Sequence, residues 1–292
     1  MELKEKKKKL NRIRLVVALA VLFTCISVGS RIGSGVVTGQ AYRDLVEISP
    51  ATQVELRREA YLQAIRLSPE EPVAYIRLID CYNEDGIFEK TESQEFLAIY
   101  NSYHTQLNFK DSKCSQIFYK AGLFFVNGYE GNMTTRLRMA LPFLETARDL
   151  MTEEDPGYMA VTCYCEIGRF YQDYIWDAAS AVREVSPSEM EALMNRILVT
   201  QEAFKTDTSS DAIYNRLGFS LAAGNLLFDQ RDILAATISQ DLAQTVIDTI
   251  YADLPQMETL QKEQTRALLQ ALLDNRQTYT DMIDRAYGRA NG

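Results

Sequence analysis

One histidine, five cysteines and a few clustered carboxylates are the groups from which this 292-residue chain could build chemistry. His104, in Ile99-Tyr-Asn-Ser-Tyr-His-Thr105, has no second His and no paired Cys or Asp at the spacing that metal ligands need. It is expected to be a helix-end side chain. Cys163 and Cys165 stand two apart in an expected helix, so their side chains point to nearly opposite sides and cannot close one metal site. Cys81 and Cys114 could pair, but small buried apolar filler is the stronger reading for both. Glu153-Glu-Asp155 precedes Pro156 and reads as a solvated turn leading into a helix. Gly33-Ser-Gly35 lacks the lysine and preceding strand of a phosphate-binding loop, and no Gly-x-Ser-x-Gly elbow occurs. Asn132-Met-Thr134 fits a glycosylation sequon, a three-residue pattern with a high chance rate. No catalytic residue, cofactor-binding residue or metal ligand emerges, so the expectation is a protein that is not an enzyme and needs no cofactor.

The address is more legible than the chemistry. Lys4, Lys6 to Lys9, Arg12 and Arg14 precede an apolar run from Leu15 to Val28, and no charge follows until Arg31. A cationic flank is held on the cytoplasmic side, so the bulk of the chain is expected outside the cytoplasm. The uninterrupted run is shorter than the roughly 20 residues of a spanning helix, but Ile13 extends it backward and Gly29-Ser30 forward. An uncleaved, single-pass signal anchor over 15–30 is therefore expected, behind a basic cytoplasmic segment 1–14. A signal peptide cleaved near Ser27 and Gly29 is the alternative. Cys25 suggests a lipidation box only weakly, because Phe23-Thr24 are poor residues before one. Residues 31–48 then form a juxtamembrane linker and short helix, its first part small and apolar enough to sit in the interface.

The whole chain carries 31 Lys and Arg against 40 Asp and Glu, a net charge of −9. Removing the seven bases and two acids of residues 1–14 leaves 24 against 38, so the exported part is at −14. Such a surface lacks the clustered bases that nucleic acid requires. Partners are therefore expected to be proteins or peptides, with the membrane met through the N-terminal helix.

From Tyr42 onward the pattern is helical throughout. Ser68-Pro-Glu-Glu71 and Ser186-Pro-Ser-Glu189 have the form of capping boxes with proline in the first helical turn, and Thr91-Glu-Ser-Gln94 has the same form without proline. Expected helices cover 42–48, 50–67, 70–84, 91–107, 112–127, 134–151, 156–177, 187–205, 210–229, 231–252 and 256–287. The fold class is all-α. Tyr164, Phe170, Tyr171, Tyr174 and Trp176 are too many aromatics for one narrow face, so most are expected in the core.

The helices also repeat. Ala60-Tyr-Leu-Gln-Ala-Ile-Arg-Leu-Ser-Pro69 is followed by Tyr75-Ile-Arg-Leu78, Tyr82, Gly86 and Phe88. Over these 30 or so residues the chain resembles the tetratricopeptide repeat family. Degraded echoes fall at Ala121-Gly122, Ile167-Gly168 and Leu217-Gly218, more widely spaced than that family's period. The resemblance implies a TPR-like array of antiparallel helix pairs, an irregular α-solenoid, over 49–255. Residues 256–292 would form a C-terminal capping helix and tail. The small residues would let helices approach closely, and one concave face would stay open.

Carried over by alignment, the family's groove positions fall at Asp80 and Asn83, then Tyr119 and Leu123, then Cys165, Arg169 and Gln172, and finally Asn215 and Phe219. The Lys and Asn set with which some members hold a terminal carboxylate is missing: Asp80 has the wrong sign, and Arg169 is the one base, able to pair with an acidic group. The resemblance implies an extracytoplasmic scaffold for protein–protein interaction in an envelope or signalling complex. A solute- or wall-glycan-binding sensor is the alternative. A fainter similarity links the chain to the exported helical tails of membrane-anchored bacterial serine/threonine kinases.

Overall fold

The computed structural model describes residues 24–26, 28–33, 50–84, 88–176, 184–205, 210–252, 254 and 263–290. Regular structure among them is helical, and the one extended contact is an isolated parallel bridge between Phe88 and Tyr129. The all-α fold class is thereby established. Contacts divide the chain into two compact units, residues 1–81 with 99–111, and residues 82–98 with 112–292.

The first unit is built on helices α1 (Pro50–Leu67) and α2 (Pro72–Tyr82), with the end of α3 (Lys90–Tyr103) and a 3-10 turn at His104–Gln106. Tyr61, Ala64 and Ile65 on α1 and Tyr75, Leu78 and Ile79 on α2 are buried, the three- and four-residue spacing of an apolar helix face. Each large side chain so buried contributes about 1.5–3 kcal/mol of transfer free energy. The Cys81 thiol donates to the Val54 carbonyl at 3.5 Å, and the Tyr75 hydroxyl donates to that of Pro69 at 3.2 Å. These contacts make α1 and α2 an antiparallel hairpin. The expected helix start at residue 70 moves to Pro72, because a proline disfavours helical backbone in the residue before it. Residues 68–71 are instead a turn in which Glu71 N donates to Ser68 O at 3.1 Å.

The second unit continues with α4 (Cys114–Gly128), α5 (Met133–Leu150), α6 (Tyr158–Tyr174), α7 (Pro187–Phe204) and α8 (Ser210–Asp229). Neighbours pair so that residue numbers rise on one helix as they fall on the next. Arg169 meets Glu145 on α5. Tyr174 meets Glu189, and Glu166 meets Arg196, across α6 and α7. Gln201 meets Ser220, and Phe204 meets Phe219, across α7 and α8. Glycines set how closely some of them approach. A Cβ at Gly122 would lie 2.6 Å from Leu144, one at Gly168 would lie 2.8 Å from Leu141, and one at Gly218 would overlap the Asn127 amide.

Helix α8 packs against α4, α6, α7 and two later helices, α10 (Gln240–Tyr251) and α11 (Glu263–Ala290). From Tyr214 to Leu227 every residue but Asn225 is buried. The run Leu217-Gly-Phe-Ser-Leu-Ala-Ala-Gly-Asn-Leu-Leu227 is apolar on all sides, and that composition marks a central helix.

Several boundaries differ from expectation for local reasons. The single helix expected over 231–252 is two, α9 (Leu234–Thr237) and α10, because Ser239 is extended and its hydroxyl caps Leu242 N at 3.2 Å. Helix α3 starts at Lys90, its cap satisfied when Glu92 accepts from Glu89 N at 3.2 Å. Ser186 does precede α7, but its hydroxyl pairs with that of Ser188 and Glu189 accepts from Tyr174, so the expected capping box is not formed.

The expected helix 42–48 and the expected helix start at 256 lie outside the described residues. Most of the expected anchor, 15–23 with residue 27, does too. Its described remainder, 24–26 and 28–30, is helical. Among the described residues no helix is long and apolar enough to cross a membrane.

Candidate functional site

Two clefts open at opposite ends of the antiparallel pair α6 and α7. The first, about 330 Å³, is lined by Tyr119 of α4, Pro156, Gly157, Met159 and Ala160 at the start of α6, Thr200, Ala203 and Phe204 at the end of α7, and Ala212 and Asn215 of α8. Its geometry depends on Gly157. That residue has φ +89°, a left-handed conformation that a side chain strains, and a Cβ there would sit 2.7 Å from the Tyr119 hydroxyl oxygen. The glycine therefore lets Tyr119 reach the first turn of α6. The Asn215 amide donates to the same hydroxyl at 3.2 Å, tying α8 to α4 at the cleft wall. Apolar walls with a few fixed polar groups are the usual composition of a binding pocket. Met159 is 41% exposed there, unusual for so large an apolar side chain in a buried setting.

Behind this wall the packing is polar and satisfied in part, with Asn127 Nδ2 and Gln201 Oε1 buried without a hydrogen-bond partner among the described residues. The Tyr164 hydroxyl donates to Asn127 Oδ1 at 3.4 Å, and Tyr214 donates to Asn83 Oδ1 at 3.4 Å. Burial, followed by the neighbouring Tyr119 and Tyr214, pushes the Tyr164 phenol well above its ordinary range, so it stays a neutral donor. Arg136 reaches back to the carbonyls of Gly131 and Asn127 at 3.0 and 3.2 Å. It thereby neutralises the carbonyl-rich end of α4.

The second cleft, about 380 Å³, is lined by Glu166, Arg169, Phe170, Asp173, Tyr174, Glu189, Ala192, Leu193 and Arg196. Its charges are matched within the chain: Arg169 with Glu145 at 2.8 Å, Arg196 with Glu166 at 3.6 Å, and Glu189 with the Tyr174 hydroxyl at 2.8 Å. The acidic group expected to pair with Arg169 is thus the chain's own Glu145. Hydrogen bonding to that carboxylate raises the Arg169 pKa further and keeps the guanidinium charged.

The groove positions carried over from the sequence separate into distinct environments. Tyr119 and Asn215, 96 residues apart in the chain, meet directly in the first cleft. Asn83 joins the same polar seam through Tyr214. Arg169 lines the second cleft, and Gln172 is exposed on α6. Asp80 is half-buried and pairs with Arg77 at 3.8 Å in the first unit. Phe219, Leu123 and Cys165 are core: they are 0%, 5% and 0% exposed, and Phe219 packs edge-on against Tyr164. The sequence reading missed Gly157, Met159 and Phe204. Asp155-Pro-Gly157 was a legible turn signal, but nothing local marks Met159 and Phe204 as cleft residues.

The remaining candidates for chemistry are occupied structurally. His104 lies at the end of α3, stacks on Tyr100 and hydrogen-bonds the Tyr100 carbonyl at 3.2 Å. All five cysteines are free, and Cys81, Cys114, Cys163 and Cys165 are buried. Burial pushes the Cys163 and Cys165 thiols up to about 12, so neither is a nucleophile at neutral pH. Asn132 of the sequon caps α5 by accepting from Thr135 N at 2.9 Å. Of the aromatic run, Tyr164, Phe170 and Tyr171 are buried, whereas Tyr174 and Trp176 are half-buried. Among the described residues no group of three or more His, Cys, Asp or Glu converges as a metal set. No protein-family model matches the chain, and no curated protein or solved structure matches it either.

Proposed function

We propose that this chain is a membrane-tethered, extracytoplasmic helical scaffold of tetratricopeptide-like design, and that its first cleft receives an apolar anchor side chain from a protein or peptide partner. The observation that carries this is the meeting of Tyr119 and Asn215 in one apolar cleft beside an exposed Met159. Interfaces draw most of their energy from a few large side chains seated in such pockets. Asn215, whose amide donates to Tyr119, supplies a fixed polar group at the cleft wall. The basic start and apolar run of residues 1–28 supply the tether and its orientation. The matched charges of the second cleft make it the poorer partner site, since an incoming ion must displace an existing pair.

The test is affinity purification with mass spectrometry from cross-linked membranes, comparing wild type with Met159→Asp and Arg169→Glu. A partner lost with Met159→Asp and kept with Arg169→Glu supports the scaffold and its site. A partner unaffected by Met159→Asp removes the first cleft from the proposal.

The cleft volume also favours a second reading. At about 330 Å³ it lies at the small end of the range for small-molecule pockets, roughly 300–1,000 Å³. A sensor for a small solute or a wall-glycan fragment would use the same walls. A thermal shift with such a compound, abolished by Met159→Asp, would select that reading over the scaffold.

A further inference from the structure

Three elements of the first unit meet where the tether ends. Residues 28–33 are helical, and Arg31 Nε lies 3.1 Å from Glu70 Oε1 and 3.7 Å from Glu71 Oε1. A Cβ on Gly33 would touch Leu67 Cδ1 at 3.8 Å. The Glu70 carbonyl in turn accepts from Asn108 N at 3.3 Å. Asn108 organises a tight turn: its side-chain oxygen accepts from Lys110 N at 3.3 Å and its carbonyl accepts from Asp111 N at 2.9 Å. Phe109 sits at the tip of that turn. Ile32, Leu67 and Phe109, one on each of these three elements, are 62%, 40% and 45% exposed.

We propose that this cluster is a second membrane contact, in which Leu67 and Phe109 enter the lipid interface beside Ile32 at the point where the tether leaves the bilayer. The proposal rests on the reading of residues 15–30 as an uncleaved anchor. Chain length decides the occupant. A helix rises 1.5 Å per residue, so Gly33 stands only about 5 Å beyond Ser30. Leu67, beside Gly33, is then within the roughly 5–10 Å over which interfacial residues insert.

The charges suit a lipid surface. Arg31 pairs with Glu70 and Glu71. With exposed Arg66 and Lys110 beside the two apolar side chains, three bases face three acids (Glu70, Glu71 and Asp111), leaving the cluster near neutral. The long stems of Arg66 and Lys110 let the charged heads reach lipid phosphates while the apolar groups insert. One Leu and one Phe do not hold a protein on a membrane unaided. The tether supplies the high effective concentration that makes so small a patch sufficient, and the contact fixes how the first unit sits on the bilayer.

The experiment uses the full chain in vesicles of phosphatidylcholine and phosphatidylglycerol. A Phe109→Trp variant is read against wild type, whose one tryptophan is Trp176. The added fluorescence is expected to be quenched by lipids brominated near the glycerol end of the acyl chains and shielded from aqueous iodide. Should that variant not fold, Leu67→Trp gives the same reading. A chain that floats with carbonate-washed vesicles, yet keeps its added fluorescence open to iodide and untouched by brominated lipid, overturns the contact and leaves the anchor standing. A chain stripped from vesicles by carbonate overturns the anchor and the contact together. Shielding from iodide without lipid quenching, present only at high protein density, assigns the patch to a second copy of this chain and likewise overturns the lipid contact.

Discussion

The two clefts of the α6 and α7 pair share helices but not chemistry. At one end, Tyr119, Met159, Phe204 and Asn215 surround an apolar space shaped by a left-handed glycine. At the other, Arg169, Arg196, Glu166 and Glu189 occupy their own surface with pairs to Glu145, to each other and to Tyr174. A cleft whose polar groups already have partners has little binding energy left to offer, because a ligand gains only the difference between old and new contacts. The first cleft is walled mainly by apolar side chains, and seating an apolar group there displaces no ion pair. The difference is one of charge rather than size, since the charged cleft is the larger.

The largest test of this comparison is alkaline pH. Cys163 lies beside Thr200 of the first cleft, and Cys165 lies among Glu145, Arg148 and Arg169 toward the second. Both thiols are raised from 9.0 to about 12 in the folded chain. An acid whose folded pKa is raised holds its proton longer in the native state than in the unfolded one. Stability is therefore full below the unfolded value and is lost as pH climbs from 9.0 toward about 12. The denaturation midpoint should fall between pH 9 and 11, and a Cys163→Ala, Cys165→Ala double variant should lessen that slope without abolishing it, because burial also raises the Tyr164 and Tyr171 phenols. A wild-type slope equal to the variant's would show that the thiols are not buried as described.

Next in size is Gly218→Ala, at the α4 and α8 contact behind the first cleft. Its Cβ would overlap the buried Asn127 amide, and such overpacking costs about 1–3 kcal/mol. A lower Tm in a thermal melt is the expected outcome, and an unchanged Tm would mean that the helices are further apart. Gly157→Ala should cost about 1–2 kcal/mol through left-handed backbone strain. It also presses on Tyr119, so it should weaken any ligand of the first cleft as well as lowering Tm. The smallest effect belongs to Arg169→Glu. Its ion pair with Glu145 is solvent-exposed, and such pairs contribute about 0–1 kcal/mol. A melt within that margin of wild type keeps the second cleft a solvated surface. A large loss would make it a structural hinge between α5 and α6.

Helix existence was legible because caps, prolines and apolar spacing are local. The expected spans 50–67, 187–205 and 210–229 fall on α1, α7 and α8 with no tertiary information. Boundaries slipped where two local signals competed. Pro72 overrode Ser68, and Ser239 interrupted what looked like one helix. The glycine landmarks at 122, 168 and 218 correctly marked close approach, since a missing Cβ has that consequence wherever the partner is.

The sequence alone decided that the chain is helical and acidic beyond its basic start. Those are properties of composition and of spacing over a few residues. Only the tertiary structure decided which exposed-looking positions are surfaces. Phe219 and Leu123 went to the core, Arg169 found Glu145, and Tyr119 met Asn215 across 96 residues. The physical reason is that helical periodicity fixes which residues share a face but not which face another helix will cover. That choice depends on packing between segments far apart in the chain, and no short stretch of sequence contains it.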